Sequence, residues 1–408
     1  MDVWRHTMGA KFNLKTLTVA IAAFSVASAA SAAGLDRSGQ DITAFLQDGV
    51  YAEAVYTYLD ADVSGKDSSG NNIGDIAESY DFFRYGVKAD INDTFSVGVL
   101  YDEPFGAAAD YSGKNDFVSH EPNPNFGGFI RPNGESTNVE VRTENITGIL
   151  GAKLGENKNF QVYGGPVAQR VQADVKLRGK AYGLADGYTT NISAGQDYGW
   201  LVGAAYSKPE IALQAALTYR SEIEHNLSLS ETFPALALKQ MNPNRVGEIE
   251  ITTPKSVNFD FQTGINPTML ATAKVRWVPW SDFEIVPPLY NQASKLSLVS
   301  YDEDQWLVEL GLAKRLSPAL AVTGNIGWDS GAGNPVTSLG PIEGYYSAGL
   351  GAKYNLTENW AISAGGKYLW FGDAKGQIPN KTIVSDFEDN DGFALGVKLS
   401  YQAKQNFN

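Results

Sequence analysis

Residues 344–373 read GYYSAGLGAKYNLTENWAISAGGKYLWFGD, and taking every second residue decides the fold. Tyr346, Ala348, Leu350, Ala352 and Tyr354 make one apolar row, and Trp360, Ile362, Ala364, Gly366, Tyr368 and Trp370 make another. Both alternate mainly with Ser, Gly and Lys, a period of two that belongs to β-strands. The short turn at 355–359 joins them. Aromatics stand at the ends of the rows rather than in their middles, which suits the two interfaces of a membrane.

Working outward, segments of this kind recur from Tyr51 to the C-terminus, and the connections between them fall into two length classes. Short turns lie at 90–94, 155–159, 207–210, 265–268, 317–319 and 355–359; long polar loops run over about 62–78, 105–136, 177–196, 226–246, 287–303, 329–343 and 372–391. Strict alternation of six turns with seven loops predicts fourteen strands, the plan of an antiparallel outer-membrane β-barrel. A soluble sandwich would show polar residues on its outer face. Rows such as Phe83-Tyr85-Val87-Ala89-Ile91, Phe95-Val97-Val99-Tyr101, Ile211-Leu213-Ala215-Leu217-Tyr219 and Phe393-Leu395-Val397-Leu399-Tyr401 are too regularly apolar for that. By parity Arg84, Lys88, Gln214, Arg220, Lys274, Arg276, Lys367 and Lys398 point into the lumen, where acidic partners such as Glu222 and Asp260 are expected.

Composition narrows the function. The chain has 408 residues, no Cys and a formal net charge of -14. The acidic balance and the lack of Lys/Arg clusters argue against nucleic acid, and the absence of Cys removes disulfides, thiol nucleophiles and zinc-finger sites. Met8 opens a stretch with Lys11 and Lys15 ahead of an apolar run and Ala30-Ser31-Ala32 at its end, so residues 1–33 are expected to be a cleaved signal peptide. No later run reaches the roughly 20 apolar residues of a spanning helix. Residues 34–48 follow as a short segment with Ile42, Phe45 and Leu46 on one face, and the barrel is expected over 49–408.

The chain resembles the FadL-type outer-membrane transporters of long-chain fatty acids and other hydrophobic compounds. The pieces that carry the resemblance are Asp62-Val63-Ser64-Gly65, Pro104-Phe105-Gly106, Leu217-Thr218-Tyr219-Arg220-Ser221-Glu222 and Pro279-Trp280-Ser281-Asp282-Phe283, with the last three hairpins, 304–401. It implies a fourteen-stranded barrel closed by an N-terminal hatch, capture of ligand by a hydrophobic groove between extracellular loops, and release through a gap at a kink in the third strand. Two departures stand out: residues 34–48 are short for a hatch and lack its Asn-Pro-Ala motif, and the terminal aromatic, Phe407, is followed by Asn408.

Candidate site residues follow. Loop residues Phe117, Phe126 and Phe129, with Phe233, Leu236 and Leu238, either form the capture surface or pack together to close the barrel mouth; the resemblance favours capture. Arg220, Lys274 and Arg276 are candidates for a ligand carboxylate, set against a structural ion-pair ladder. Pro104, Phe105 and Gly106 mark where strand pairing is expected to fail, as a lateral opening or as a plain strand end; the resemblance favours the opening. His120 and His225 sit in no catalytic motif, so no enzyme activity is expected. The acidic runs at 302–304 and 386–391 read as solvated loop tips, and no metal or cofactor is assigned. The expectation is a monomer, set among outer-membrane lipid and lipopolysaccharide, that passes long-chain fatty acids inward by diffusion. Uptake of aromatic or aliphatic hydrocarbons, or general porin activity, are the alternatives.

Overall fold

The computed structural model describes residues 34–120 and 134–405. The signal peptide expected at 1–33, Phe126, Phe129 and Phe407 lie outside those residues. The chain forms a closed antiparallel barrel of fourteen strands. They are β1 (Val50–Asp62), β2 (Tyr80–Asp90), β3 (Phe95–Asp102 with Gly106–Asp110), β4 (Asn138–Leu154), β5 (Phe160–Lys176), β6 (Thr189–Lys208) and β7 (Leu213–Arg220 with Ile223–Thr232). The rest are β8 (Asn244–Thr253 with Ser256–Asn266), β9 (Met269–Val278), β10 (Gln305–Arg315), β11 (Leu320–Asp329), β12 (Glu343–Asn355), β13 (Trp360–Gly372) and β14 (Asp391–Ala403). Pairing of Val50 with Ala403 through Asp62 with Asp391 closes the ring and leaves no free edge.

In β12 and β13 the alternation is as expected: Tyr346, Leu350, Tyr354, Trp360, Ile362, Tyr368 and Trp370 are all exposed on the outer face. The lining of the lumen changes along the height of the barrel. Along β4, Ile146 and Leu150 face out while Asn145 and Thr147 face in; nearer the extracellular end Arg142 and Glu144 face out while Val139 and Val141 are buried inside. β5 repeats the inversion, with Phe160 and Val162 outside below, and Val171, Ala173 and Val175 inside above. The physical reason is that the strands outrun the lipid: above it the outer face meets water and the lumen becomes an apolar core. For the same reason 226–232 and 244–246, expected in a loop, are strand.

Residues 35–48 cross the lumen and supply the acids that the inward cations need. Asp36 takes Arg276 in a two-pronged contact (Nε to Oδ2 2.9 Å, Nη2 to Oδ1 2.7 Å), both side chains fully buried. Asp41 lies 3.2 Å from Arg84, which also faces Glu53 at 3.4 Å. Asn258 donates to the carbonyl of Gly39 at 2.8 Å, and Ser256 to Gln40 Oε1 at 2.7 Å. Elsewhere Lys88 pairs with Asp90, Lys367 with Glu309 and Lys398 with Glu53. Of the two acids anticipated, Asp260 stands beside Lys274 in the ladder, but Glu222 faces outward, because the inward parity of β7 changes after Arg220. Phe45 locks the segment sideways: a Cβ on Gly98 or Gly151 would come within 2.7 or 2.9 Å of its ring.

The extracellular loops form a packed cap, part of it a small five-stranded sheet. Phe117 is buried and stacks on Tyr111 with ring centroids 4.3 Å apart. Phe233 packs against Tyr188 (5.7 Å) and Tyr290 (5.9 Å), with Leu236 buried beside them. Glu231 holds this cluster by accepting hydrogen bonds from the Tyr188 hydroxyl (2.9 Å) and from the backbone N–H of Leu289 (2.9 Å) and Tyr290 (3.0 Å) at a helix start. Burial pushes the Tyr290 hydroxyl up to about 12, so it stays neutral. Phe117, Phe233 and Leu236 are therefore cap core in this conformation rather than open surface, whereas Leu238 is exposed. Apolar loop residues bury against each other wherever enough of them meet.

Two outcomes follow. Replacing Phe233 and Leu236 together by Ser removes packing of about 2–5 kcal/mol per site, so protease cleavage within 233–243 should accelerate; unchanged cleavage would contradict the packed cap. Asp36→Ala leaves Arg276 buried and unpaired, a cost of about 3–5 kcal/mol. Hydrogen exchange across 35–48 should then rise, and adding Arg276→Met should restore most of the protection.

Candidate functional site

Above the Asp36–Arg276 pair lies a narrow, tightly packed apolar chamber, walled by Leu35 from the N-terminal segment, Phe105, Val141, Val171, Ile251 and Trp280, with Phe283 and Ile285 behind. Trp280 is fully buried. It meets Phe105 edge-on at 5.5 Å and Phe283 at 5.3 Å, and its Nε1 donates to Gln305 at 2.9 Å. Among the described residues no charged side chain lines the chamber; its polar side chains are Thr143 and Thr253. Thr143 is already bonded to the backbone of Phe105 at 2.7 and 2.8 Å.

A second narrow cavity shares Phe105, Thr253 and Pro254 with the chamber and adds the polar side chains of Gln40, Asn145, Gln169, Arg220 and Ser221 and the apolar ones of Val167, Trp200 and Ile223. Arg220 enters it from the inward row of β7, Ala216-Thr218-Arg220. Its guanidinium is buried, reaches Thr147 Oγ1 only at 3.4 Å, and its Nε has no hydrogen-bond partner among the described residues. The Asn145 side-chain nitrogen beside it is likewise unpartnered. Buried Asp102 is the main counter-charge of Arg220, and the spare Nε donor leaves the guanidinium able to add a hydrogen bond to a ligand carboxylate.

The three cations singled out from the sequence thus separate. Arg276 is saturated: besides Asp36, its Nη1 donates to Asn258 at 2.9 Å and to Gln40 at 3.2 Å. Lys274 lines a different void, around Leu46, Gln214 and Gln262, together with Asp41, Asp260 and Glu309. Arg220 alone of the three borders the apolar chamber's neighbour. The ion-pair reading fits Arg276, and the other two keep spare hydrogen-bonding capacity.

At 103–105 the third strand loses its ladder. Below, Asp102 pairs with Asn145 of β4; above, Gly106 pairs with Arg142, so three residues face two and the register shifts by one. Toward β2 pairing stops at Tyr85 with Tyr101, and is replaced higher up by a bridge between Ala77 and Ala109. The result is a framed window with a void of about 990 Å³, part of it open to solvent, edged by Tyr80, Asp81, Glu103 and Ala108. Its inner side is covered by the N-terminal segment: Arg37 N–H donates to the Pro104 carbonyl and Gly106 N–H to that of Leu35, both at 2.7 Å. The Arg37 guanidinium rests 3.9 Å from the Tyr80 ring centre, and a Cβ on Gly106 would come within 2.4 Å of it. Gly106 is thus required here for contact, not only for weak pairing.

Sequence reasoning missed the chamber walls, Val141, Val171 and Ile251. A signal existed in the parity at which they alternate with Arg142, Gln172 and Glu250, opposite to that of the lipid-facing rows. Which strand ends rise above the lipid decides how to read it.

A family model described as outer membrane protein transport protein (OMPP1/FadL/TodX) matches residues 157–407. No curated protein sequence matches the chain. Among solved structures, the fold is similar to a Pseudomonas aeruginosa FadL homologue (TM-score 0.69, 15% identity, covering 91% of this chain and 96% of that one). It is also similar to the Pseudomonas putida toluene transporter TodX (0.58, 13%, 89% and 92%) and to the CymD monoaromatic hydrocarbon channel (0.57, 12%, 97% and 100%). At such identities the likeness is one of fold. With its closed barrel, lipid-facing rows and matching family model, this chain belongs to the OMPP1/FadL/TodX family of bacterial outer-membrane proteins that transport hydrophobic compounds.

Proposed function

We propose that this protein takes up long-chain fatty acids passively, seating the acyl chain in the apolar chamber and the carboxylate on Arg220. The observation that carries the reading is the shared wall, at Phe105, Thr253 and Pro254, between a charge-free cavity and one holding an under-bonded buried guanidinium. Each methylene moved from water into the chamber contributes about 0.8 kcal/mol, and the carboxylate recovers in charge-assisted hydrogen bonds what it loses in hydration. Residues 34–48 act as the hatch, and the first residues are a signal peptide removed on export. The barrel works as a monomer within lipid and lipopolysaccharide. Ligand arrives past the cap, where Leu238 is exposed, and the window at Pro104, Phe105 and Gly106 is a lateral way out that opens when Arg37 moves off Tyr80.

An uncharged hydrocarbon is the second reading, favoured by the absence of any charge on the chamber's own walls. One variant separates the two. Removing a buried hydrogen bond to a charged group costs about 1.5–3 kcal/mol, so Arg220→Gln should weaken oleate binding about 10- to 100-fold, leave toluene binding unchanged, and do so in detergent-purified protein with unaltered heat stability. Equal oleate binding by wild type and Arg220→Gln would overturn the carboxylate reading.

A further inference from the structure

We propose that Asn145 is the second donor of the head-group site, its side-chain amide joining Arg220 on the ligand carboxylate, and that Gln169 and His225 are the residues that position it; this rests on Arg220 being the head-group site. Arg220 of β7 reaches across the lumen to β4, where Thr147 Oγ1 lies 3.4 Å away and Asn145 is the next inward residue. Both side chains are buried and line one cavity, and each brings to it a donor without a partner among the described residues, the Arg220 Nε and the Asn145 side-chain nitrogen. Asp102 supplies counter-charge but bonds neither of these two atoms. Buried donors left unpaired are costly, and two of them from different strands on one cavity are a pair that the two oxygens of a carboxylate complete.

The orientation of Asn145 is fixed from behind. Gln169 Nε2 donates to the Asn145 Oδ1 at 2.9 Å, which turns the Asn145 nitrogen the other way. Gln169 is held in turn, because its Oε1 accepts from Thr253 Oγ1 at 2.5 Å and from His225 Nε2 at 2.9 Å. Reversing the Gln169 amide would set its NH2 against the His225 N–H and its oxygen against that of Asn145. His225 comes to this place through a change of facing. β6 and β7 pair from Leu213 with Lys208 to Arg220 with Leu201, and again from Leu229 with Ile192 to Thr232 with Thr189, but 193–199 and 222–228 form no ladder pairs with each other. The inward row of β7 passes there from Thr218 and Arg220 to Ile223, His225 and Leu227, and that of β6, at another height, from Leu201 and Ala205 to Ile192 and Thr190. The Ser221 N–H ties the interval to the Trp200 carbonyl at 2.9 Å, and fully buried His225 fills it from inside. Asp197 Oδ2 stands 3.6 Å from the His225 Nδ1, too far for a hydrogen bond, so the bond that the ring makes is the one to Gln169.

The relay selects the head group and leaves the tail free. Thr253 lines both the polar cavity and the apolar chamber while holding Gln169, so head and tail are read across one wall. Asn145 is also the ladder partner of Asp102, the last rung below the break in the third strand. A carboxylate held by Arg220 and Asn145 therefore waits beside the window through which the ligand leaves. A hydrocarbon in the chamber touches neither donor.

Asn145→Leu removes the donor at nearly constant volume and should weaken oleate binding to the detergent-purified protein about 10-fold or more, with toluene binding unchanged. His225 tests the relay without touching the cavity. His225→Gln keeps a donor near the Nε2 position and should hold oleate affinity within about twofold, whereas His225→Leu should weaken it about 10-fold, again with toluene unaffected. If Asn145→Leu does not fold, the His225 pair decides. Equal oleate affinity in the two His225 variants, or parallel loss of toluene and oleate, overturns the proposal. Unchanged oleate binding in Asn145→Leu, with Arg220→Gln still weakened, overturns it and leaves the carboxylate reading standing; unchanged binding in both overturns that reading as well.

Discussion

The lumen depends on the pairing of Arg276 with Asp36. A guanidinium and a carboxylate withdrawn from water inside a barrel are stable together and costly apart, and here they lie 240 residues apart in the chain. Closing the barrel brings Arg276 to the centre, and that charge draws in residues 35–48. Once seated, the segment offers Asp41 to Arg84, its backbone to Asn258 and its Leu35 to the chamber floor. The same residues that neutralise the lumen therefore build the bottom of the site and pair with the broken third strand at Pro104 and Gly106. Structure and gating share one set of bonds.

A closed barrel removes every strand edge, so a molecule can leave sideways only where the ladder is faulty. Among the described residues two interruptions of the ladder lie beside the cavities, and their origins differ. At 103–105 one extra residue shifts the register, helped by a proline without a donor and a glycine that admits Arg37. Between β6 and β7 no residue is added to the count; two changes of facing lie at different heights and leave the strands out of phase. Unpaired backbone is expensive in hydrocarbon, and between β6 and β7 that constraint is met by a backbone bond from the Ser221 N–H to the Trp200 carbonyl, with Ser221 and Asp197 side chains supplying substitute rungs.

Transport in this family needs no chemistry, only a descending series of apolar surfaces and a way past the plug. The vertical inversion of polarity provides it. Below, the lipid-facing rows hold the barrel in the membrane and the lumen is a network of ion pairs; above, the walls turn apolar inward and make the chamber.

The sequence by itself determined the barrel: a period of two, aromatic ends and alternating connection lengths are local properties, so fourteen strands and the Pro104 break were legible residue by residue. It also identified the inward cations, because parity alone gives their facing. What each cation does was decided by tertiary structure, since Asp36 is 240 residues from Arg276 and no local pattern joins them. The loop phenylalanines show the same limit: Phe233 reads as a greasy surface in one dimension, yet buries against Tyr290, which the sequence places far away. The chamber walls and the phase fault between β6 and β7 exist only once neighbouring strands fix each other's height, and that depends on closure of the ring.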